Sequence, residues 1–169
     1  SNLKDKKEEI YEAVKDSLKM IEYVKEHYIQ EIKEMSSKKE DTLLESLLFL
    51  SKYHKRTSSA ESLIAGLAIY NSLMSPSMFE KSAKRIGLIT KAVSRKIPQI
   101  DNLSLPAVML LNNNKACVVL NIDLQKNQAT LMMPHVSSDT QIILSIEELE
   151  KLYTGNLFII KPAYNFENR

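Results

Sequence analysis

The stretch from residue 41 to residue 54 constrains the fold more than any other part of this sequence. It opens with Asp41-Thr42, and the side chain of either residue can cap a helix by accepting a backbone N–H. Glu45 follows Thr42 by three positions, as in a capping box. Leucines then fall on most sides of the predicted helix, at Leu43, Leu44, Leu47, Leu48 and Leu50. A helix that is apolar nearly all round must be buried, so we expect it at the centre of the molecule.

The rest of the sequence divides into helices followed by strands. Two more helix starts are predicted at Thr57-Ser58-Ser59, running to about Leu67, and at Ser75-Pro76, running to a C-cap at Gly87. Beyond Gly87, strands are predicted at 88–93, 105–111, 115–120, 128–133, 141–144 and 155–161, with a hairpin turn at 112–114, a turn at 97–100 and a short helix after Ser145. Helices first and antiparallel strands after predict an α+β domain.

Residues 3–35 form a separate arm without proline or glycine. Its apolar side chains recur at spacings of three and four, with interleaved lysines and acids on the other side, which predicts an amphipathic helix. The apolar stripe comprises Ile10, Tyr11, Val14, Leu18, Ile21, Val24, Tyr28, Ile29, Ile32 and Met35. Three roles stay open: packing on its own domain, a seam for another part of a larger protein, or a membrane-surface helix.

Composition limits the function classes. The chain has 169 residues, 44% of them hydrophobic, which suffices for one sizeable core. A formal charge of +2 gives no strong argument for nucleic-acid binding. The single cysteine, Cys117, excludes an internal disulfide. No apolar run reaches the ~18 residues of a membrane span, so we expect this piece to be soluble.

Several short strings together resemble the bacteriocin-processing cysteine peptidases that are fused to bacterial ABC exporters. The nucleophile helix of that family has the pattern D-C-G-x-x-C-L, whereas this chain has D-T-L-L-E-S-L from Asp41. Matching strings are L-P-A-V at 105–108, V-V-L at 118–120, and L-S-I-E-E-L at 144–149 before Y-T-G. The resemblance covers roughly residues 37–161. It implies a papain-like fold, with a helical half and an antiparallel sheet, spanning 37–169 after the arm.

The resemblance also assigns the catalytic positions, and this chain departs from the family at each one. The cysteine position is Thr42, the histidine position is Ala116, the aspartate position is Met133, and the oxyanion glutamine position is Ser36. Peptidase chemistry of this kind needs a thiolate, an imidazole and a group that orients the imidazole. We therefore expect no enzyme activity, and no metal or cofactor, in this domain.

Four other polar residues are candidates to replace the lost catalytic groups. Cys117 adjoins the histidine position but should point to the other face of its strand. Ser46 lies one helical turn after Thr42, where helix packing explains it. His135 follows the aspartate position, and His54 ends the leucine-rich helix. We expect structural or solvent-exposed roles for all four, and no metal-ligand spacing joins them.

Degenerate domains of this family occur at the N-terminus of type I secretion transporters that export RTX toxins and adhesins. The resemblance thus implies a domain on the cytoplasmic face of the bacterial inner membrane that holds unfolded RTX cargo. Its partners would be the transmembrane and nucleotide-binding domains of the same transporter, where ATP and Mg²⁺ bind. Candidate cargo contacts are Lys52, Tyr53, Lys55, Arg56 and Tyr70.

Three alternatives stay open at this point. An active leader peptidase with a rebuilt site would cleave after a Gly-Gly pair. An intramolecular regulatory or assembly module would dock through the arm and control the transporter. A peptide-binding domain unrelated to secretion would match the family by chance, since each short string alone is common.

Overall fold

The computed structural model describes residues 2–34, 41–67, 73–134 and 141–163. The chain divides into two compact units, Ser1–Glu34 and Met35–Arg169. The second unit is far richer in internal contacts and carries the hydrophobic core. Each unit is described by itself below.

The first unit is one long helix, α1, which spans Asn2–Glu34 and contains 33 residues. The part of the predicted arm that the structure describes, 3–34, is thus one helix, and Met35 lies outside the described residues. Spacings of three and four place its apolar residues on one stripe, while lysines and acids alternate around the rest. Its exposed apolar side chains are Leu3, Ile10, Tyr11, Val14, Leu18, Met20, Ile21, Tyr23 and Val24.

The second unit opens with three helices, each capped by a side chain that accepts a backbone N–H. They are α2 (Thr42–Tyr53), α3 (Ala60–Ile64) and α4 (Pro76–Arg85), with caps Asp41, Ser59 and Ser75. Asp41 alone is the cap of α2, and Thr42 is its first helical residue, so the capping box suggested by Glu45 does not form. Helix α3 ends earlier than predicted, before Gly66 at φ +74°.

The sheet follows and contains every predicted strand. Its strands are β1 (Leu88–Ser94), β2 (Ala107–Leu111), β3 (Lys115–Asp123), β4 (Gln128–Met132), β5 (Gln141–Ser145) and β6 (Tyr153–Pro162). They are antiparallel in the order β1-β6-β2-β3-β4-β5. Strand β6 begins at Tyr153, two residues before its predicted start. Helix α5 (Ile146–Leu152) begins with a capping box between Ser145 and Glu148.

Helix α2 packs on one face of the sheet, mainly against β3, as its composition predicts. Leu47 and Leu50 are completely buried, in one cluster with Phe79 of α4 and Phe158 of β6. The rings of these two phenylalanines stack with centroids 4.9 Å apart. Burying side chains of this size contributes about 1.5–3 kcal/mol each. Helix α5 contacts β4, β5 and β6, and the α+β class is confirmed.

Candidate functional site

Asp41 fixes the position of the first turn of α2. Its Oδ1 accepts the Leu44 N–H at 3.1 Å, which caps the helix. Its Oδ2 accepts the Met74 N–H at 2.7 Å, which ties the helix start to the segment just before α4. The cap was predicted, but the second hydrogen bond joins residues 33 positions apart and leaves no local signal in the sequence.

Thr42 and Ala116, the predicted nucleophile and imidazole positions, are in direct contact. The backbone N–H of Ala116 donates to Thr42 Oγ1 at 2.9 Å, joining α2 to the start of β3. Both residues are buried, at 3% and 2% exposure. The fold therefore brings together two positions that are 74 residues apart in the chain.

The chemistry available at this junction is limited. A threonine hydroxyl attacks a carbonyl only when a base removes its proton, and the methyl group of Ala116 is not a base. Ser46, one turn along α2, is completely buried and donates its hydroxyl to the Thr42 carbonyl oxygen at 2.7 Å. Such a bond to the preceding turn of a helix is a packing feature.

The register of β3 and β4 places Met132 on the same face of the sheet as Ala116. Met132 pairs with Val118, which lies on the Ala116 face because side chains alternate along a strand. Ala116, Val118 and Met132 share one buried cluster with α2. Met133, the position predicted from the sequence, is also buried but follows the end of β4 and is outside that cluster. A methionine at either position supplies no carboxylate.

Cys117 lies on the opposite face of β3 from Ala116, as strand alternation requires. Its side chain is completely buried, and burial raises the pKa of the thiol to about 12. The fraction of Cys117 in the reactive thiolate form is therefore negligible at neutral pH. Cys117 thus packs in the core as a protonated thiol.

Within the second unit, the one histidine among the described residues is His54, and it lies far from Thr42. His54 is the C-cap of α2, and the 12 residues of that helix separate it from Thr42 by about 18 Å. Partial burial lowers the pKa of His54, and the charge of Arg56 lowers it further. His27 belongs to α1. His135 and Ser36 lie outside the described residues.

The predicted cargo contacts around the end of α2 are not equivalent. Lys52, Tyr53 and Lys55 are exposed. Arg56 is half-buried, and its guanidinium donates to the carbonyl oxygen of Gly87, so it holds the chain where α4 leads into β1. Tyr70 lies outside the described residues. Among the described members of this set, Lys52, Tyr53 and Lys55 are thus the exposed ones.

Among the described residues, no group of three or more histidine, cysteine, aspartate or glutamate side chains is arranged to hold a metal ion. None of the helices in this part of the chain combines the length and apolar character that a bilayer crossing demands.

Comparisons with known proteins agree with this geometry. The model of the peptidase C39 family matches residues 17–165. The N-terminal peptidase C39-like domain of the toxin secretion ATP-binding protein from Vibrio parahaemolyticus is 30% identical, with a TM-score of 0.70. That match covers 73% of this chain and 98% of the Vibrio domain.

Two more relatives extend the comparison. A double glycine motif protease from an AMS/PCAT transporter, solved with its leader peptide, has a TM-score of 0.61 at 19% identity, covering 73% of this chain and 85% of the protease. The leukotoxin translocation ATP-binding protein LktB of Mannheimia glucosida is 24% identical over 127 residues, which is 75% of this chain. The match spans only 18% of LktB. The fold is thus the papain-like fold of C39 peptidase domains.

Proposed function

This chain belongs to the peptidase C39 family, and we propose that it is a non-cleaving member that holds an unfolded secretion substrate. The substrate would be an acidic, glycine- and aspartate-rich segment of RTX type. The domain would present this segment to the channel of a type I secretion ABC exporter. A peptidase domain that keeps its fold but has its reacting groups replaced can still bind a peptide without cleaving it.

The hydrogen bond between Thr42 and Ala116 carries the proposal. At the positions that the resemblance assigns to the thiolate and the imidazole, this chain has a buried hydroxyl that accepts a backbone N–H. Ala116 contributes only a methyl group there, and Met132 lies in the same buried cluster as Ala116. Acyl transfer needs a base within hydrogen-bond reach of the nucleophile, and none of the described side chains at this junction is one.

The transporter setting is inferred from the relatives. The Vibrio domain and LktB are both parts of toxin-secretion or translocation ATP-binding proteins. We propose that this chain is likewise an N-terminal part of an ABC exporter, on the cytoplasmic face of the inner membrane. Transmembrane and nucleotide-binding domains of the same protein would supply the channel and the ATP and Mg²⁺ sites.

Weak binding suits a protein that must release its cargo. An unfolded segment loses chain entropy when it binds, so a Kd of about 0.1–1 mM is expected. The contacts proposed from the sequence are Lys52, Tyr53, Lys55, Arg56 and Tyr70, of which Lys52, Tyr53 and Lys55 are exposed at the end of α2. One N–H of the half-buried Arg56 guanidinium is donated to the Gly87 carbonyl oxygen.

A cleavage assay tests the non-cleaving part of the proposal. The domain is incubated with a leader peptide ending in Gly-Gly, and the products are followed by mass spectrometry. We expect no specific cleavage by the wild type or by His135→Ala. Specific cleavage by the wild type that is lost in Thr42→Val or in His135→Ala would show a rebuilt site and overturn the proposal.

The regulatory alternative is supported by one observation. Helix α1 exposes a long apolar stripe in a unit of its own, as an element that docks on another domain would. In that case deletion of residues 3–35 in the full transporter impairs assembly or ATPase control and leaves cargo affinity intact. The two functions are compatible, because they use different units of the chain.

A further inference from the structure

Strand β1 is an edge of the sheet, with no neighbouring strand on its outer side among the described residues. The Arg95 N–H donates to Gly155 of β6, and Ala163 donates to Gly87. In an antiparallel pair the bonded positions alternate, so the odd-numbered residues of β1 bond to β6. The backbone groups of Thr90, Ala92 and Ser94 therefore point outward, where another strand can pair with them.

A basic groove runs beside this edge on the sheet face opposite α2. It encloses about 310 Å³ and is lined by Ile89, Lys91, Arg95, Ser104, Ile159 and Lys161. Residues 84–99 contain five basic side chains and no acidic one, and residues 153–163 add Lys161 and no acid. The described residues supply no carboxylate to this groove, so its charge is available to a partner.

A second groove borders the same edge on the face that carries α4. It encloses about 390 Å³ and has a mixed, mostly apolar lining that includes Pro76, Ser77, Ala92, Ser94 and Phe158. None of the described residues that line this groove is basic, and Ser94 donates its hydroxyl to Asn156 Oδ1 at 2.6 Å. Its one acidic lining residue is Glu80. The two grooves thus differ in charge and lie on opposite sides of one open strand.

We propose that an extended acidic polypeptide segment adds to the sheet as a strand beside β1. Side chains of a strand alternate between faces, so every second residue of the segment enters each groove. Acidic side chains would meet Lys91, Arg95 and Lys161, and small or apolar side chains would fill the groove beside Phe158. This names a binding surface for the cargo and therefore rests on the proposed function.

The positive charge of the basic groove and the outward-pointing backbone groups of β1 together favour a polypeptide as the bound partner. Anionic lipid headgroups would satisfy the cations but make no use of the outward N–H and C=O groups of β1. An added strand uses both, because main-chain hydrogen bonds supply affinity while the alternating grooves supply specificity.

The probe is a nine-residue peptide in which Asp and Val alternate, and its binding is followed by fluorescence anisotropy. A peptide of the same composition with its five Asp residues in one block is the control. A charge variant, Lys91→Glu with Arg95→Glu, tests the groove, and Lys126→Glu on the β3–β4 turn is the matched control. Ala92→Pro removes one outward N–H of β1, which an edge strand tolerates. Amide NMR spectra establish that each variant is folded.

We expect the alternating peptide to bind and the block peptide to bind about tenfold more weakly. The charge variant should weaken binding about tenfold and Ala92→Pro about fivefold, with Lys126→Glu unchanged. Replacing alternate amides of the peptide by esters should weaken binding without any change to the protein.

Three outcomes overturn the inference. One is equal binding of the two peptides. Another is binding that is unaffected by both the charge variant and Ala92→Pro. The third is capture of phosphatidylserine vesicles that the charge variant abolishes and Ala92→Pro does not, since that pattern describes a membrane surface.

Failure of the proposed function looks different from failure of this inference. If a calcium-free RTX segment does not bind the wild type while the alternating peptide does, the cargo proposal fails and the strand site stands. If the RTX segment binds the wild type and both β1 variants equally, the cargo proposal stands and the strand site fails.

Discussion

At the scale of single residues, the Thr42 hydroxyl is a structural acceptor. It receives the Ala116 N–H in a buried position, where an unsatisfied backbone donor would be costly. The family resemblance assigns Thr42 and Ala116 to the nucleophile and imidazole positions, and the structure places these two residues in contact. The sequence did not predict their hydrogen bond, because a contact across 74 residues depends on how α2 lies on the sheet. Met132, and not Met133, shares the Ala116 face of the sheet because of the register between β3 and β4. That register is also set by long-range pairing, so the sequence alone did not give it.

Replacing Thr42 by valine tests this role. Valine keeps the shape and removes the acceptor, so the Ala116 N–H is buried without a partner. The free energy of unfolding should fall by about 1–3 kcal/mol, measured by urea denaturation. Thr42→Ser retains the acceptor, loses only a methyl group and should cost about 1 kcal/mol. A valine variant as stable as the wild type would contradict the assignment.

Cys117 gives a pH prediction. Its pKa is raised to about 12 in the folded state, whereas an unfolded thiol titrates near its ordinary value of about 8.5. The unfolded chain therefore loses this proton first, and the contribution to stability is fully present below that value and falls as pH rises above it. The stability difference between wild type and Cys117→Ala should shrink by about 1–2 kcal/mol from pH 8 to pH 10. A stability difference between wild type and Cys117→Ala that does not change with pH would show that water reaches the thiol in the folded state.

At the scale of elements, local sequence signals placed nearly every helix and strand. Caps at Asp41, Ser59, Ser75 and Ser145 and the triple asparagine turn at 112–114 act over a few residues, so the sequence carries them. The sheet order, with β6 inserted between β1 and β2, was not predicted. That order depends on long-range pairing, and it is what leaves β1 as an open edge.

Asp41 joins two elements, and its removal should affect both. Asp41→Ala deletes the cap of α2 and the acceptor for Met74 N–H, and should cost about 1–3 kcal/mol. Amide exchange at Leu44 and Met74 should accelerate relative to the rest of the core. Asp41→Asn retains an acceptor oxygen, so its free energy of unfolding should lie between those of Asp41→Ala and the wild type. Acceleration at Leu44 alone would show that the Met74 bond contributes nothing.

At the scale of the whole molecule, the chain has one unit with a core and one helical unit. The sequence predicts a helical arm over 3–35 and a domain over 37–169, from the apolar period of the arm and the change in pattern after it. It could not predict the grooves beside β1, because a groove depends on which side chains the fold brings together. Lys91 and Lys161 are 70 positions apart in the sequence, yet they line one groove.

Deleting residues 3–35 tests the independence of the core unit. The remaining chain keeps every member of the buried cluster, so its unfolding temperature should change by less than about 4 °C. Its affinity for a calcium-free RTX segment should be unchanged. Circular dichroism and the anisotropy titration measure these two quantities. Loss of the folded state, or of cargo affinity, would assign the arm a direct part in the domain.

The most direct measurement is an amide NMR titration of the labelled domain with a calcium-free, unfolded RTX segment. The calcium-folded form of the same segment is the control. The account predicts localised, saturable shifts with the unfolded form alone, strongest along β1 and the adjoining part of β6. Absence of shifts at millimolar segment, or equal shifts with the folded form, would contradict the claim that this C39 domain holds unfolded cargo.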